Sequence, residues 1–263
     1  MAQDCVDAGR PVFIIRLKGF ADPLLEAFPG EEVGIAQLGK CFKLLKREGC
    51  RSVCFAGVVA RPDFLALRPD IRGLKALPGA IAAARTGDDG LLRFMITEFE
   101  SEGFRVEGPQ EVTGGLVLRQ GPLGRITPSS DHMADIERGL NVAREIGRLD
   151  VGQGCVVVCG LVLAVEAQEG TDSMLRRCAE LPPTVRGRPE APLGVLAKAP
   201  KPMQERRVDL PTIGLATVHR AAKAGLAGIV GEAGGLLVLD RAAVIEAADE
   251  LGLFIYGVGG ETT

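Results

Sequence analysis

Residues 161–172 read Leu161-Val-Leu-Ala-Val-Glu166-Ala-Gln-Glu169-Gly-Thr-Asp172, an apolar strand that runs directly into three carboxylates within seven residues. The preceding run, Gly154–Cys159, is also apolar, and Gly160 separates the two. Short apolar runs bounded by glycine have the pattern of buried strands. Gly154–Cys159 and Leu161–Glu166 read as two strand-like runs separated by Gly160, or as one bent or bulged strand. Like charges crowded at a strand end repel unless a cation or a hydrogen-bond network compensates them. A strand that ends this way is an expensive arrangement.

The first half alternates strands and helices: strand Val12–Leu17, helix Ile35–Glu48, strand Ser52–Val59, helices Ala76–Arg85 and Asp88–Glu102, strand Phe104–Glu107. That rhythm predicts a parallel sheet with crossover helices, a Rossmann-like α/β domain. Such a domain opens on a strand and a Gly-rich turn. Here Met1–Gly9 reads as the tail of a helix, so the first strand is expected to be missing. The Gly- and Pro-rich stretch Gly108–Pro128 is expected to be irregular linker. Asp131–Arg148 then predicts an amphipathic helix with Met133, Ile136, Leu140, Val142 and Ile146 on its apolar side.

Further on, Thr171–Leu181, Thr212–Ala224 and Arg241–Leu251 read as helices; Leu193–Lys198, Ala227–Val230, Leu236–Leu239 and Leu253–Val258 read as strands. Residues 1–130 are thus expected to be the Rossmann-like domain and residues 131–263 an α+β catalytic domain.

A net charge of −3 over 263 residues argues against nucleic acid as a partner. No eighteen-residue apolar span occurs, and Met1-Ala-Gln-Asp-Cys does not open like a signal peptide. The seven cysteines lie mostly in apolar runs and are expected to be reduced core residues of a cytoplasmic protein. Two isolated histidines exclude a His-rich metal site.

Two readings of the acid run stay open. Thr171 or Asp172 caps the next helix and the acids are solvated. Alternatively, Glu166, Glu169 and Asp172 hold a divalent ion beside an N–H cradle at Gly170-Thr171. About thirty residues later comes Lys198-Ala-Pro-Lys201-Pro-Met-Gln204-Glu-Arg-Arg207-Val-Asp209-Leu-Pro-Thr212-Ile-Gly214. Here Thr212 is either a helix N-cap beside a loop acid, Asp209, or Asp209 is a metal ligand or water-orienting base. Lys198, Lys201 and Arg207 suit phosphate oxygens. Gly87-Asp88-Asp89 is either a helix cap or a ligand contact. Arg61 follows a strand's carboxyl end, where open α/β sheets bind ligands.

At these residues the sequence resembles the bacterial UDP-2,3-diacylglucosamine pyrophosphatases of the LpxI type. The resemblance is carried by Gly121-Pro-Leu-Gly124 through His132-Met-Ala-Asp-Ile, Asp150-Val-Gly-Gln153-Gly, Val165 to Asp172, Lys198-Ala-Pro-Lys-Pro and Arg207-Val-Asp-Leu-Pro-Thr-Ile-Gly214. Phe55-Ala-Gly57 with Arg61-Pro-Asp63, and Gly87-Asp-Asp-Gly-Leu-Leu-Arg93, add to it. It implies a cytoplasmic, magnesium-dependent hydrolase of lipid A synthesis, with two domains clamping the substrate. UDP-2,3-diacylglucosamine would be split into UMP and 2,3-diacylglucosamine 1-phosphate, lipid X. It also leaves room for peripheral inner-membrane contact and a homodimer. It makes Asp209 the best catalytic candidate.

On this combined reading Asp209, Glu166, Glu169 and Asp172 hold or orient Mg²⁺ (or Mn²⁺) and water. Gly170, Thr171, Lys198, Lys201, Gln204, Thr212, Arg61 and Asp88 are the substrate-binding candidates. The rival readings are a non-catalytic nucleotide- or lipid-binding module and a sugar-nucleotide transferase.

Overall fold

The computed structural model describes residues 1–57, 59, 66–85, 87–203 and 205–259, without the side chain of residue 88. It falls into two units, Met1–Gly114 with Arg207–Asp209, and Gly115–Arg206 with Leu210–Thr263.

The first unit contains α1 (Ala2–Asp7), β1 (Ile14–Leu17), β2 (Gly30–Val33), α2 (Leu38–Arg47), β3 (Ser52–Val53), α3 (Ile71–Ala84), α4 (Asp88–Ser101), β4 (Arg105–Val106) and α5 (Pro109–Val112). Its strands form two parallel pairs, β1–β2 and β3–β4. Phe42, Phe99 and Phe104 form the centre of its core. The helix expected from Ala76 begins five residues earlier. Asp70 is its N-cap and accepts the Gly73 N–H at 2.8 Å. The same carboxylate accepts the Lys40 N–H of α2 at 2.8 Å, so one aspartate caps two helices. The strand expected over Ser52–Val59 is seen at Ser52–Val53, and residue 58 lies outside the described residues.

The second unit contains β5 (Gly121–Leu123), α6 (Ser130–Arg148), β6 (Gly154–Val158), β7 (Leu161–Val165), α7 (Gly170–Glu180), α8 (Pro183–Arg186), β8 (Gly187–Arg188), β9 (Ala191–Pro192), β10 (Val195–Lys198), β11 (Thr212–Ile213), α9 (Leu215–Lys223), β12 (Gly228–Glu232), β13 (Leu237–Val238), α10 (Arg241–Glu250) and β14 (Phe254–Val258). Six strands form one mixed sheet in the order β5-β14-β12-β10-β6-β7. β10, β12 and β14 are parallel; β5, beside β14, and β6, beside β10, run against them.

Side chains alternate across this sheet. Cys155, Val157, Val195 and Ala197 pack with Ile136, Leu140 and Ala143 of α6. Val156, Val158, Leu196, Ile229 and Ile255 pack with α7, α9 and α10 through Met174, Val218 and Val244. Burial on both faces explains the unbroken apolar runs in the sequence. The expected α+β half is therefore a mixed sheet covered on both faces.

The structure also revises or decides other expectations. Gly108–Pro128 is not all linker, because β5 within it pairs with β14 as an edge strand. Of the two readings of Gly154–Glu166, the structure shows not one bent strand but two strands, the hairpin β6–β7. Its turn residues Cys159 and Gly160 have φ of 47° and 78°. Both central residues of a type I′ turn need positive φ. Asp135 of α6, buried, accepts the Cys159 and Gly160 N–H groups at 2.8 and 2.6 Å and holds that turn. Finally, Thr212 belongs to β11, and the helix after it starts at Leu215 with Gly214 as N-cap. Met133, expected on the apolar side of α6, is exposed.

Candidate active site

β10 ends on a lysine that should not be buried. Lys198 is 3% exposed, and Glu166, just past the end of β7, is 6% exposed. Buried charges are tolerated only when paired and hydrogen-bonded. Lys198 Nζ donates to Thr171 Oγ1 at 2.6 Å and to the Thr212 carbonyl at 3.3 Å. Thr171 Oγ1 donates to Glu166 Oε1 at 2.9 Å. Glu166 Oε2 lies 3.8 Å from Lys198 Nζ and, buried, has no hydrogen-bond partner of its own.

Sheet register builds this centre. Lys198 stands opposite Gly154 across the β6–β10 ladder, and the Glu166 N–H bonds the Gly154 carbonyl at 2.8 Å. A Cβ on Gly154 would come within 2.6 Å of Glu166 Oε2, and one on Gly152 would collide with the Glu166 carbonyl. These two glycines, missed as site residues, leave the space the carboxylate occupies. The Gly-Gln-Gly spacing at 152–154 was their signal in the sequence.

Thr171 stands in the first turn of α7, after Gly170 at φ 76°. First-turn N–H groups of a helix have no intrahelical acceptor and attract anions. The Thr171 hydroxyl thus joins the buried ammonium to the first turn of α7 at the carboxyl ends of β7 and β10. This is the end of a sheet where α/β proteins bind ligands.

The other acids do not join this centre. Glu169 pairs with Arg177 at 2.6 Å. Its own backbone N–H and Arg177 hold its carboxyl below the usual carboxylate range. Asp172 pairs with Arg220 at 3.1 Å. Among the described residues no three His, Cys, Asp or Glu side chains gather as a metal group. A divalent ion on Glu166 Oε2 would also be repelled by the neighbouring ammonium. Glu166, Glu169 and Asp172 therefore do not fit a shared divalent ion.

Of the remaining candidates, Lys201 pairs with Asp150 at 2.7 Å. Thr212 contributes its carbonyl to Lys198, while its hydroxyl donates to the Leu210 carbonyl at 3.1 Å. Asp209 belongs to a three-residue excursion into the first unit. There Arg207 pairs with Glu100 at 2.7 Å and Val208 packs on the phenylalanine core. Arg61, the Asp88 side chain and Gln204 lie outside the described residues.

The two units with a buried lysine centre at a sheet end define a two-domain α/β protein. Residues 1–116 match the LpxI N-terminal domain and residues 119–256 the LpxI C-terminal domain. The chain is 66% identical over 258 residues to the UDP-2,3-diacylglucosamine pyrophosphatase LpxI of Caulobacter vibrioides, covering 98% of this chain and 92% of that one. The chain belongs to the LpxI family.

Proposed function

We propose that this protein hydrolyses the diphosphate of UDP-2,3-diacylglucosamine, releasing UMP and 2,3-diacylglucosamine 1-phosphate for lipid A synthesis. The observation that carries this reading is the 66% identity, along nearly the whole chain, to a protein of that name. The chemistry at the sheet end supports it. Diphosphate cleavage needs charge neutralised on the phosphate oxygens and a positioned water. Lys198 and the first-turn N–H groups of α7 supply the first, and Thr171 adds a hydroxyl beside them. Asp209 is the carboxylate assigned to orient and deprotonate the water, with Lys201, Gln204, Thr212, Arg61 and Asp88 as further substrate contacts.

Mg²⁺ or Mn²⁺ belongs to the same proposal. Magnesium is usually held by one or two carboxylates, waters and the substrate's own phosphates rather than by an all-protein cage. Asp209 with the diphosphate meets that description. The ion would neutralise charge that develops on the phosphoryl oxygens.

The proposal extends to the first unit and the setting. Parallel pairing of β1 with β2 and of β3 with β4 supports a Rossmann-like first unit. No helix among the described residues is long and apolar enough to cross a membrane. A cytoplasmic protein in peripheral contact with the inner membrane, where a diacylated substrate resides, fits that observation. Liposome co-sedimentation tests the contact, and sedimentation velocity tests the proposed homodimer.

The central test is UMP release from UDP-2,3-diacylglucosamine with Mg²⁺ and with EDTA. Release with Mg²⁺ that EDTA stops is expected. Tight binding without product would instead favour a binding module, and release only with an added acceptor a transferase.

A further inference from the structure

We infer that the outward face of α3 docks the protein on an anionic phospholipid bilayer, with Ile71 and Leu74 entering the interface and Lys75 and Arg85 on the headgroups. The inference deepens the membrane contact proposed above and rests on it. An ordinary surface helix buries its large aliphatic side chains and turns polar ones to water. α3 does the reverse. Its inner side is small, with Gly73, Ala76 and Ala84 buried. Small residues let the helix come close: a Cβ on Gly73 would strike the Ala36 carbonyl, and one on Gly79 the Phe94 ring. The large aliphatics turn outward, Ile71 79% and Leu74 60% exposed.

Helical spacing joins these into one stripe. Ile71, Leu74, Pro78 and Ala82 follow one another at intervals of three and four residues, and all four are exposed. Lys75 and, at the C-cap, Arg85 flank the stripe and are exposed too. Neither cation has an ion-pair partner among the described residues. Ile71–Arg85 contains no acid, and Asp70 just before it is turned onto the Gly73 and Lys40 N–H groups. Single exposed aliphatics are ordinary, whereas a continuous stripe marks a surface that something covers.

Charge selects the occupant. In a two-fold dimer this face would meet itself, setting Lys75 and Arg85 against their own copies with no acid to answer them. An anionic bilayer matches both parts of the face, acyl chains for the aliphatics and phosphates for the cations. So small a contact gives weak, reversible attachment, which suits an enzyme whose diacylated substrate resides in the membrane.

Co-sedimentation of the full chain with vesicles of phosphatidylglycerol and phosphatidylethanolamine, and with phosphatidylcholine alone, tests this. The parent should bind the anionic vesicles more tightly. Lys75→Gln with Arg85→Gln should weaken that binding about 20-fold, roughly fivefold for each cation. Ile71→Ser with Leu74→Ser should weaken it about tenfold or more, the scale of two aliphatic side chains left in water. Thermal melting should match the parent, because all four side chains are exposed. UMP release from detergent-dispersed substrate should also match it.

A parent that ignores anionic vesicles overturns the inference together with the membrane contact, while turnover in detergent still judges the hydrolase reading. A parent that binds, with both variants binding equally well, overturns the inference alone. Variants that bind vesicles like the parent but sediment as a smaller species mark a dimer interface instead. Variants that bind vesicles like the parent but need more substrate for half-maximal turnover mark a contact with the substrate's acyl chains. Either result overturns the inference. If the serine pair does not fold, the glutamine pair decides by the same readouts.

Discussion

Lys198 and Thr171, twenty-seven positions apart in the chain, share a 2.6 Å hydrogen bond that joins the end of β10 to the first turn of α7. Glu166 completes the triangle through the same hydroxyl. Glu166 and Lys198 form a charge pair that the fold encloses almost completely, with Thr171 bonded to both.

Removing one member of such a pair leaves the other buried and uncompensated. Lys198→Met should destabilise the second unit by about 3–5 kcal/mol, and replacing Glu166 by Leu in the same chain should recover much of that loss. Urea unfolding curves of the single and double variants measure both effects.

Gly154 makes room for Glu166. A Cβ there meets Oε2 at 2.6 Å, so Gly154→Ala must push the carboxylate aside. The expected outcome is a fall of about tenfold or more in kcat/KM, the scale of a misplaced catalytic geometry. Steady-state kinetics check it, and a variant as active as the parent would show that the Glu166 position does not matter.

Asp209→Ala should lower kcat by about 100-fold or more, the usual contribution of a positioned acid–base group, with substrate binding retained. UMP release and equilibrium binding of UDP-2,3-diacylglucosamine measure the two separately. Turnover at the parent rate would remove Asp209 from the mechanism.

Asp70 predicts a pH dependence of stability. Burial pushes its carboxyl up, but the N–H groups of Gly73, Lys40, Gly39 and Arg72 outweigh this and hold it below the usual range. A carboxylate with a depressed folded-state pKa contributes stability above its unfolded value, about 4, and loses it as pH falls through the folded one. The parent should therefore lose stability more steeply than Asp70→Asn as pH drops below about 4. Denaturant midpoints measured across that interval test the slope.

The thiols should differ sharply in reactivity. Burial, aided by the Asp70 charge, pushes Cys41 up to about 12, and burial pushes Cys155 up to about 12 and Cys54 to about 11. Cys159 is exposed on the β6–β7 turn. Because the thiolate is the reactive species, Cys159 should be modified first by a thiol reagent at neutral pH. Cys159→Ser should abolish the fast phase.

Much of this protein was legible locally. The apolar runs at 154–158 and 254–258 are strands because burial on both faces leaves little room for a polar residue. Helix Ser130–Arg148 follows from its own periodicity, and the motif stretches carried the family. Asp70, a helix-start signal, was also present but overlooked beside the stronger apolar pattern further on.

Where each acid points was not legible, because it depends on partners distant in the chain. Adjacent in sequence, Glu166, Glu169 and Asp172 look like one cluster. In the fold they separate onto Lys198, Arg177 and Arg220. A strand end, a loop and a helix turn aim successive side chains in different directions, and the antiparallel register of β6 on β10 brings Lys198 to Glu166. Residue order alone set the strands, the helices and the kinds of charge. Which charges neutralise each other was decided by strand pairing, since electrostatic compensation in a buried site depends on distance in space rather than along the chain.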